Sequence, residues 1–330
     1  MTKTNKQKLI VVLGMHRSGT SAITCGLKVL SVELGDNLLP PVANNNEMGF
    51  WEDSDINTLN SEILSVLGSD WHYLSAIQFA DIEVLRRKGY FLCAIDLMHR
   101  KIGDSPVFGF KDPRIAKLLL FWKEVFRQCQ LDVSYMLAIR NPRSVVKSLA
   151  TRDGFDPEKS YLLWLGHIIV TLSGTIGEMC MIIDYDRLMQ SPEFELQRIA
   201  KQFDLAIDPA EMQSYKDDFL DQGLRHKVYD LNDLLLDEAC PPIVQEIYSE
   251  LLEVASDKKR IDDLSLQKKV AIWAIEFERI KSPLALIDRF NKLIEERDEQ
   301  ISAIMASWSW KLTSPLRKIK KIWQTIKVKR

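Results

Sequence analysis

One segment near the N-terminus constrains the fold of this chain more than any other. Residues 8–30 read KLIVVLGMHRSGTSAITCGLKVL, in which an apolar run leads into a loop bounded by Gly14 and Gly19. The run is typical of a buried strand in a parallel sheet, and the apolar spacing after the loop is that of a helix. A strand, a glycine-bounded turn and a helix point backbone N–H groups and the helix dipole at one place. That place favours an anion.

The loop has the glycine spacing of a P-loop but not its lysine. Thr20 and Ser21 stand where a nucleotide-hydrolysing P-loop carries Lys and then Ser or Thr. We therefore expect a phosphate-binding turn with Arg17 as its positive charge, and with hydroxyl donors from Ser18, Thr20 and Ser21. His16 is expected to contact the ligand. An ordinary strand-turn-helix connection without a ligand is the alternative interpretation.

Three further apolar segments predict strands, and helical segments lie between them. They are residues 107–110, 133–139 and 179–183. Strands that alternate with helices predict a parallel sheet covered on both faces. The predicted fold is a P-loop-like, three-layer α/β/α domain over residues 1–262, with its strands within 8–205. A helical C-terminal extension is expected over residues 263–330.

Cysteine and histidine usage limits the kinds of site. The five cysteines include no C-x-x-C pair, and the five histidines are dispersed, which argues against a disulfide framework and against a zinc site. No segment reaches the roughly 18 consecutive apolar residues of a membrane span, and the N-terminus leads directly into a strand rather than a signal peptide. We expect a cytoplasmic protein that uses no metal ion and binds no nucleic acid.

A second polar motif, IRNPRSVVKSL, follows the third predicted strand. Arg140 lies at the C-terminal end of that strand, where open α/β sheets bind ligands. Pro142 suits the first turn of the next helix, and Ser148 follows Arg140 by eight residues. An arginine and a hydroxyl placed in this way are suited to a second phosphate group.

Together, the RSGTS loop and the RNP motif with its later serine resemble the sulfotransferases that use 3'-phosphoadenosine 5'-phosphosulfate (PAPS). The resemblance covers about residues 8–205 and includes a Y-x-x-L segment that begins at Tyr185. It implies that the loop binds the 5'-phosphosulfate and that Arg140 and Ser148 bind the 3'-phosphate. Tyr185 is implied to contact adenine, with a cap on an edge strand as the alternative. Arg225 is implied at the 3'-phosphate, and surface charge explains it equally well. The loop residues expected to bind the donor are Gly14, His16, Arg17, Ser18, Gly19, Thr20 and Ser21.

The catalytic base is not where small-molecule members of this family carry it. Those enzymes have K-T-H at a strand end, whereas this chain reads GFKDPR at residues 109–114. In carbohydrate- and tyrosine-modifying relatives a carboxylate replaces the histidine, which implies Asp112 or Glu52 here. Asp112 before Pro113 is also a typical helix cap. The Asn-rich and aromatic surroundings of Glu52 favour Glu52 slightly.

Sulfuryl transfer depends mainly on positioning and electrostatic stabilisation. Arg17 and Lys111 are expected to stabilise the charge of the leaving phosphate. Two other functions stay open. A P-loop kinase or NTPase would need a Walker B aspartate, to which Asp184 is the nearest approach. The second open function is a non-catalytic nucleotide-binding scaffold for polysaccharide assembly.

The last 20 residues differ chemically from the rest. Residues 311–330 carry eight Lys or Arg and no acid, so within a total of −2 the other 310 residues sum to −10. Apolar residues recur among these lysines at helical spacing, as in a helix that lies on anionic lipid, with a solvated terminus as the alternative. The run SWSWKLTSPLR resembles the ends of bacterial surface-polysaccharide glycosyltransferases. This implies a carbohydrate acceptor at the cytoplasmic face of the membrane.

Residues 285–306 predict one long helix. Apolar side chains recur along it at helical spacing, and Asp298 interrupts them. The apolar positions are Leu286, Phe290, Leu293, Ile301 and Ile304. This stripe among charges favours a packing or coiled-coil helix through which the chain associates with itself.

Overall fold

Four strands form a single parallel sheet in the larger of two units. The computed structural model describes residues 6–42, 48–220 and 229–313, and its contacts separate Met1–Ile280 from Lys281–Arg330. The strands are β1 Lys8–Gly14, β2 Val107–Lys111, β3 Asp132–Ile139 and β4 Met179–Asp184. Their order is β2-β1-β3-β4, with all three pairings parallel. The predicted parallel sheet is confirmed, and β1 lies inside it.

Helices connect the strands and follow the last one. They are α1 Thr20–Val29, α2 Ser54–Val66, α3 Phe79–Arg87, α4 Tyr90–Ile102, α5 Leu119–Gln128, α6 Pro142–Asp153, α7 Pro157–Gly174, α8 Tyr185–Gln190, α9 Pro192–Phe203, α10 Pro209–Ser214, α11 Leu231–Leu235, α12 Pro242–Ala255, α13 Leu264–Ala306 and α14 Trp308–Leu312. A 3-10 turn spans Pro113–Ala116, and one π-helical turn spans Tyr215–Phe219. Within the described ranges, no strand follows β4 and no helix is long and apolar enough to cross a membrane.

The sheet is buried between two helical layers. Residues Leu9 to Leu13 of β1 are at most 2% exposed, as expected for a strand with both faces covered. Ile10 and Val12 pack with Ile23 of α1 on one face. Because side chains alternate along a strand, the other face of β1 meets α7. The three-layer α/β/α arrangement is therefore confirmed.

The register of the sheet brings three loops to one edge. Val12 pairs with Lys111, Gly14 pairs with Ala138, and Ile139 pairs with Asp184. The carboxyl ends of the four strands therefore lie side by side. Ligands bind outside this edge in open α/β sheets.

Candidate active site

The glycine loop, residues 14–21, turns the chain from β1 into α1. Gly19 precedes α1 with a φ of +82°, and no side chain caps the first N–H groups of that helix. Ser18 is fully buried, and its Oγ has no partner among the described residues. Arg17 adopts a φ of +68°, which is a costly conformation that clusters at binding sites. The loop thus presents uncapped N–H groups and an unused hydroxyl to one place, where an anion is stabilised.

Two of the glycines are required by close neighbours. A Cβ on Gly14 would lie 2.8 Å from the carbonyl oxygen of Ala138, and a Cβ on Gly19 would lie 2.1 Å from Cδ2 of Tyr185. The ring of Tyr185 therefore packs directly on the glycine loop. The guanidinium of Arg140 lies 4.7 Å from the centroid of the same ring, at the distance of a cation–π contact.

Three arginines converge where the glycine loop meets α6. Arg17 donates from Nε to Ser148 Oγ at 2.7 Å, and Arg140 donates from Nη1 to the carbonyl oxygen of Arg17 at 3.3 Å. Arg140 Nε is buried, without a partner in the described part of the chain. Burial, with the charges of Arg152 and Arg140, lowers the pKa of Arg17 from its ordinary value. Asp153 pairs with Arg152 at 2.8 Å. A bound polyanion would relieve the remaining repulsion.

Lys111 brings to the glycine loop the ammonium group that the loop itself lacks. It ends β2 beside β1 and is 2% exposed. Its Nζ lies 2.7 Å from Oε1 of Glu52 and 3.3 Å from Oγ of Ser21. The second oxygen of Glu52, Oε2, accepts from Nδ2 of Asn57 at 2.7 Å. A carboxylate is thereby linked to the glycine loop through one buried lysine.

Asp112 has a different environment from Glu52, because its oxygens bind groups that belong to the fold. Oδ1 accepts from the backbone N–H and the guanidinium of Arg114 at 2.9 and 3.0 Å, and Oδ2 accepts from Asn60 at 2.9 Å. Trp122 in turn donates to Asn60 at 2.8 Å. Burial and the charge of Glu52 raise the pKa of Asp112. Asp112 caps the 3-10 turn, as the alternative interpretation expected, and places Arg114 3.7 Å from Glu52.

The backbone on both sides of Glu52 is held in place. Trp51 has a φ of +57°, which is unusual for a bulky residue. The carbonyl oxygen of Glu52 accepts from the N–H of Leu39 at 2.8 Å. Asp53 caps α2 and lies 2.7 Å from Nζ of Lys101 in α4. These contacts orient the Glu52 side chain toward Lys111.

Aromatic rings flank the other side of the glycine loop. His16 lies 4.3 Å from Trp71 between ring centroids, and Trp71 lies 5.7 Å from Phe155. The guanidinium of Arg152 is 5.1 Å from the Trp71 ring. Burial, followed by the charge of Arg114, lowers the pKa of His16, so this imidazole is neutral at pH 7. No role for Trp71 or Arg152 was predicted from the sequence, although the aromatic run that begins at Trp71 is visible there.

The predicted site residues therefore form two groups at one edge of the sheet. Arg17, Arg140, Ser148 and Tyr185 lie together at one side of the glycine loop, and Lys111 joins Glu52 to the other. Their ligands stay predictions. Arg225, residues 43–47 and residues 314–330 lie outside the described residues.

Comparisons with known proteins find similarity at the level of structure. No protein-family model and no curated protein sequence matches the chain. The sulfotransferase domain from the Synechococcus PCC 7002 olefin synthase is 17% identical over 78% of this chain and 96% of its own, with a TM-score of 0.40. The sulfotransferase domain from the curacin biosynthetic pathway is 16% identical over 76% of this chain and 97% of its own, with a TM-score of 0.38. Retinol dehydratase, solved with androsterone and the inactive cofactor PAP, is 11% identical over 82% of this chain and 80% of its own, with a TM-score of 0.33. Likenesses of this size assign no activity to the chain.

Proposed function

We propose that this protein is a sulfotransferase that moves the sulfuryl group of PAPS to a hydroxyl of a carbohydrate acceptor. The observation that carries the proposal is the division of positive charge around one glycine loop. On one side Arg17 donates to Ser148 and Arg140 donates to the carbonyl oxygen of Arg17, while on the other side Lys111 reaches Ser21. A nucleotide with anionic groups at both its 3' and 5' positions suits this division better than a linear triphosphate does.

The unused polar atoms of the site suit such a donor. Arg140 and Ser148, together with Arg17, would hold the 3'-phosphate, since Arg140 Nε is buried without a partner in the described ranges. The uncapped N–H groups of α1 and the Oγ of Ser18 would hold the 5' group. Tyr185 would border the adenosine, because its ring lies between the glycine loop and Arg140.

The chemistry needs a base for the acceptor and positive charge for the leaving group. PAPS supplies a sulfuryl group activated by its bond to a nucleotide phosphate. As the acceptor oxygen bonds to sulfur and the bond to the phosphate oxygen breaks with its electron pair, Glu52 takes the hydroxyl proton. Lys111 stabilises the charge that develops on the departing phosphate. Asp112 acts indirectly by holding Arg114 beside Glu52.

The proposal of a carbohydrate acceptor draws support from the aromatic rings beside His16. Trp71, His72 and Phe155 are partly exposed and lie within about 6 Å of one another. Aromatic rings with a few polar groups are typical of small-molecule sites, and they provide flat apolar area against which a sugar ring can pack. The resemblance of the C-terminal run to polysaccharide glycosyltransferases agrees with this acceptor class.

A P-loop NTPase agrees less well with the same site. Asp112 ends the strand beside β1, where an aspartate could face a bound magnesium nucleotide, yet Arg114 and Asn60 already engage its oxygens. Asp184 accepts from the N–H of Arg187 as the cap of α8. Asp184 Oδ2 is buried without a partner in the described residues, yet within those residues neither carboxylate belongs to a group of three or more His, Cys, Asp or Glu side chains that could hold a metal ion.

The basic C-terminal tail is proposed to bind anionic membrane. Apolar side chains are accessible where the tail begins, because Trp308 just before it is 81% exposed and Leu312 within it is 73% exposed. Tryptophan next to lysine suits the membrane interface. Deletion of residues 311–330 should reduce sedimentation with vesicles that contain phosphatidylglycerol and leave nucleotide binding intact. Equal vesicle binding by both proteins would contradict this proposal.

Calorimetry and a transfer assay test the main proposal. We expect the protein to bind 3',5'-adenosine bisphosphate more tightly than ATP with magnesium, and to transfer ³⁵S from labelled PAPS to a polysaccharide fraction. Tight binding of ATP without binding of the bisphosphate would refute the proposed donor. Nucleotide binding that is unchanged by Glu52→Gln and is accompanied by no transfer to any acceptor would favour a non-catalytic nucleotide-binding scaffold instead.

A further inference from the structure

The outer half of α13 presents an apolar face that no described element covers. From residue 286 onward its large apolar side chains are 41–57% exposed, whereas the inner half buries Trp273 and Phe277 and exposes Ile272 and Ile275. We call these exposed residues the outer stripe: Leu286, Ile287, Phe290, Leu293, Ile294, Ile301, Ile304 and Met305. An exposed apolar face of this size marks an interaction surface.

The spacing of the outer stripe indicates what kind of partner covers it. Ile287, Ile294 and Ile301 recur at intervals of seven residues along one helix. A straight α-helix has 3.6 residues per turn, so a seven-residue repeat drifts by about 20° per heptad. Such a repeat stays on one seam only when the helix supercoils around another helix with the same period. A second copy of this helix has that period by definition.

We propose that the outer stripe is covered by a second copy of this chain in a parallel, two-stranded coiled coil. Ile287, Ile294 and Ile301 occupy the a layers, and Phe290 and Ile304 occupy d layers. The pairing does not depend on the proposed sulfuryl transfer.

Two charged residues define the register and direction of the pair. Arg297 takes the d position between Phe290 and Ile304, and Asp298 takes the adjacent e position. In a parallel pair, a d side chain inserts between the a, d and e residues of the facing helix. Each Arg297 therefore meets both Arg297 and Asp298 of the second copy, and the two Asp298 carboxylates offset the repulsion between the two arginines. The interruption of the stripe becomes a reciprocal pair of opposite charges that forms only in this register.

Area and charge both favour a second copy over a membrane. Eight large side chains, each about half exposed, offer on the order of 700 Å² per copy, close to the roughly 800 Å² per partner of a stable interface. Residues 286–306 carry five acidic and three basic side chains, a net charge of −2. Anionic lipid would repel this helix, whereas its own copy can pair Arg297 with Asp298.

A matched pair of substitutions in the full-length protein tests the proposed contact between the two copies of α13. Ile294→Asp places a charge in an a layer, and Ala303→Asp places the same charge on the same helix away from the outer stripe. By analytical ultracentrifugation we expect a wild-type dimer and an unchanged Ala303→Asp dimer. For Ile294→Asp we expect a dissociation constant raised at least about 100-fold, since two isoleucines leave one interface. Circular dichroism of both variants shows whether the helix is kept.

Charge reversal and cross-linking test the direction. Arg297→Asp and Asp298→Arg should each weaken the dimer, and the double variant should restore it, because the opposite charges face each other again. Under mild oxidation Ile301→Cys should give a covalent dimer that wild type and Ala303→Cys do not, since a layers pair like with like only in a parallel coil.

Results that overturn the coiled coil can be told apart from a failure of the proposed sulfuryl transfer. A wild-type monomer at tens of micromolar, or an Ile294→Asp variant that stays dimeric, would overturn the coiled coil. If wild type were monomeric and Ile294→Asp no longer bound phosphatidylglycerol vesicles, the outer stripe would be a lipid-binding surface. That result would overturn the coiled coil as well. Binding of 3',5'-adenosine bisphosphate is measured on the same samples and reports separately on the donor site.

Discussion

Arg17 donates a 2.7 Å hydrogen bond from Nε to the hydroxyl of Ser148, a residue 131 positions further along the chain. The bond joins the loop after β1 to the helix after β3. It forms because β1 and β3 are parallel neighbours whose carboxyl ends coincide, with Gly14 opposite Ala138. The glycine loop and the motif that begins at Arg140 therefore meet in one place, with the side chain of Arg17 at their junction.

Replacement of Arg140 should weaken the binding of 3',5'-adenosine bisphosphate. Its guanidinium lies over Tyr185, and its Nε is buried with no partner in the part of the chain described. Loss of a charged hydrogen bond costs about 1.5–3 kcal/mol, so Arg140→Ala should raise the dissociation constant about 10- to 150-fold in calorimetry. Lys147→Ala is the control, because Lys147 is an exposed cation in α6, the helix that follows Arg140. An unchanged affinity in Arg140→Ala would remove this residue from the 3'-phosphate site.

Glu52→Gln should abolish transfer while leaving the nucleotide bound. Removal of a general base costs about 10²- to 10⁴-fold in rate, and Gln keeps the size of the side chain. The matched variant is Asp112→Asn, which we expect to reduce stability instead, because Asp112 is fully buried and paired with Arg114. Rates from labelled PAPS and urea unfolding of both variants check the assignment. A stable but inactive Asp112→Asn beside an active Glu52→Gln would reverse the two roles.

Lys111→Met should destabilise the protein and slow transfer. The ammonium of Lys111 lies 2.7 Å from Glu52, and both side chains are more than 90% buried. Breaking a buried ion pair from one side costs about 3–5 kcal/mol, since the other charge is left unpaired. Addition of Glu52→Gln should recover most of the unfolding free energy but none of the turnover. If the double variant were no more stable than Lys111→Met, the pair would not be the source of the loss.

Gly19→Ala and Gly89→Ala separate backbone strain from steric overlap. Their φ angles are nearly equal, +82° and +84°, but a Cβ on Gly19 meets Tyr185 at 2.1 Å and one on Gly89 meets nothing within 4 Å. Gly89→Ala should cost only the left-handed conformation, about 1 kcal/mol. Gly19→Ala should cost about 2 kcal/mol more by urea unfolding and should weaken nucleotide binding, because Tyr185 is displaced. Equal losses of unfolding free energy in the two variants would show that the ring of Tyr185 moves aside without cost.

His167 should make the fold sensitive to acid. Burial lowers the pKa of His167 to about 4, and Nδ1 lies 2.7 Å from the carbonyl oxygen of Leu163. The unfolded chain takes up a proton near pH 6.5 while the folded one does not, so stability falls as the pH drops from 6.5 toward 4. The loss attributable to this residue is about 3 kcal/mol.

Denaturant unfolding at pH 7 and pH 4 measures this effect in wild type and His167→Phe. Asp184 contributes with the opposite sign, since burial raises its pKa to about 6 and its ionisation opposes folding above that pH. That contribution is common to both proteins and cancels in the comparison. The same acid-induced loss in His167→Phe as in wild type would contradict the assignment.

Much of this fold is encoded in short stretches of sequence. The apolar runs that predicted four strands are the four strands observed, because a strand buried on both faces requires uninterrupted apolar residues. Asp112 before Pro113 and Asn141 before Pro142 begin helical turns as caps. The glycine loop was also visible in the sequence, because Gly14 and Gly19 stand where the backbone adopts positive φ angles that favour glycine.

The order of the strands was not encoded in any one stretch, and it decided the chemistry of the site. Placing β2 beside β1 brings Lys111 to Ser21, so the ammonium missing from the glycine loop arrives from 90 residues away. The sequence alone placed Arg17 within the loop as its positive charge, whereas in the structure it reaches to Ser148. Local periodicity specifies which face of an element is buried, but it carries no information about which elements become neighbours.

The difference between the surroundings of the two carboxylates likewise arises only in the tertiary structure. Glu52 and Asp112 both lie in polar loops next to apolar segments, and from sequence either one suits a base. Packing of α2 against the turn after β2 supplies Asn60 to Asp112, while Glu52 is left linked to Lys111. Sequence by itself therefore determined the fold class and the position of the glycine loop. Only contacts between distant segments decided which charges share the site, because hydrogen bonds and burial depend on positions in space.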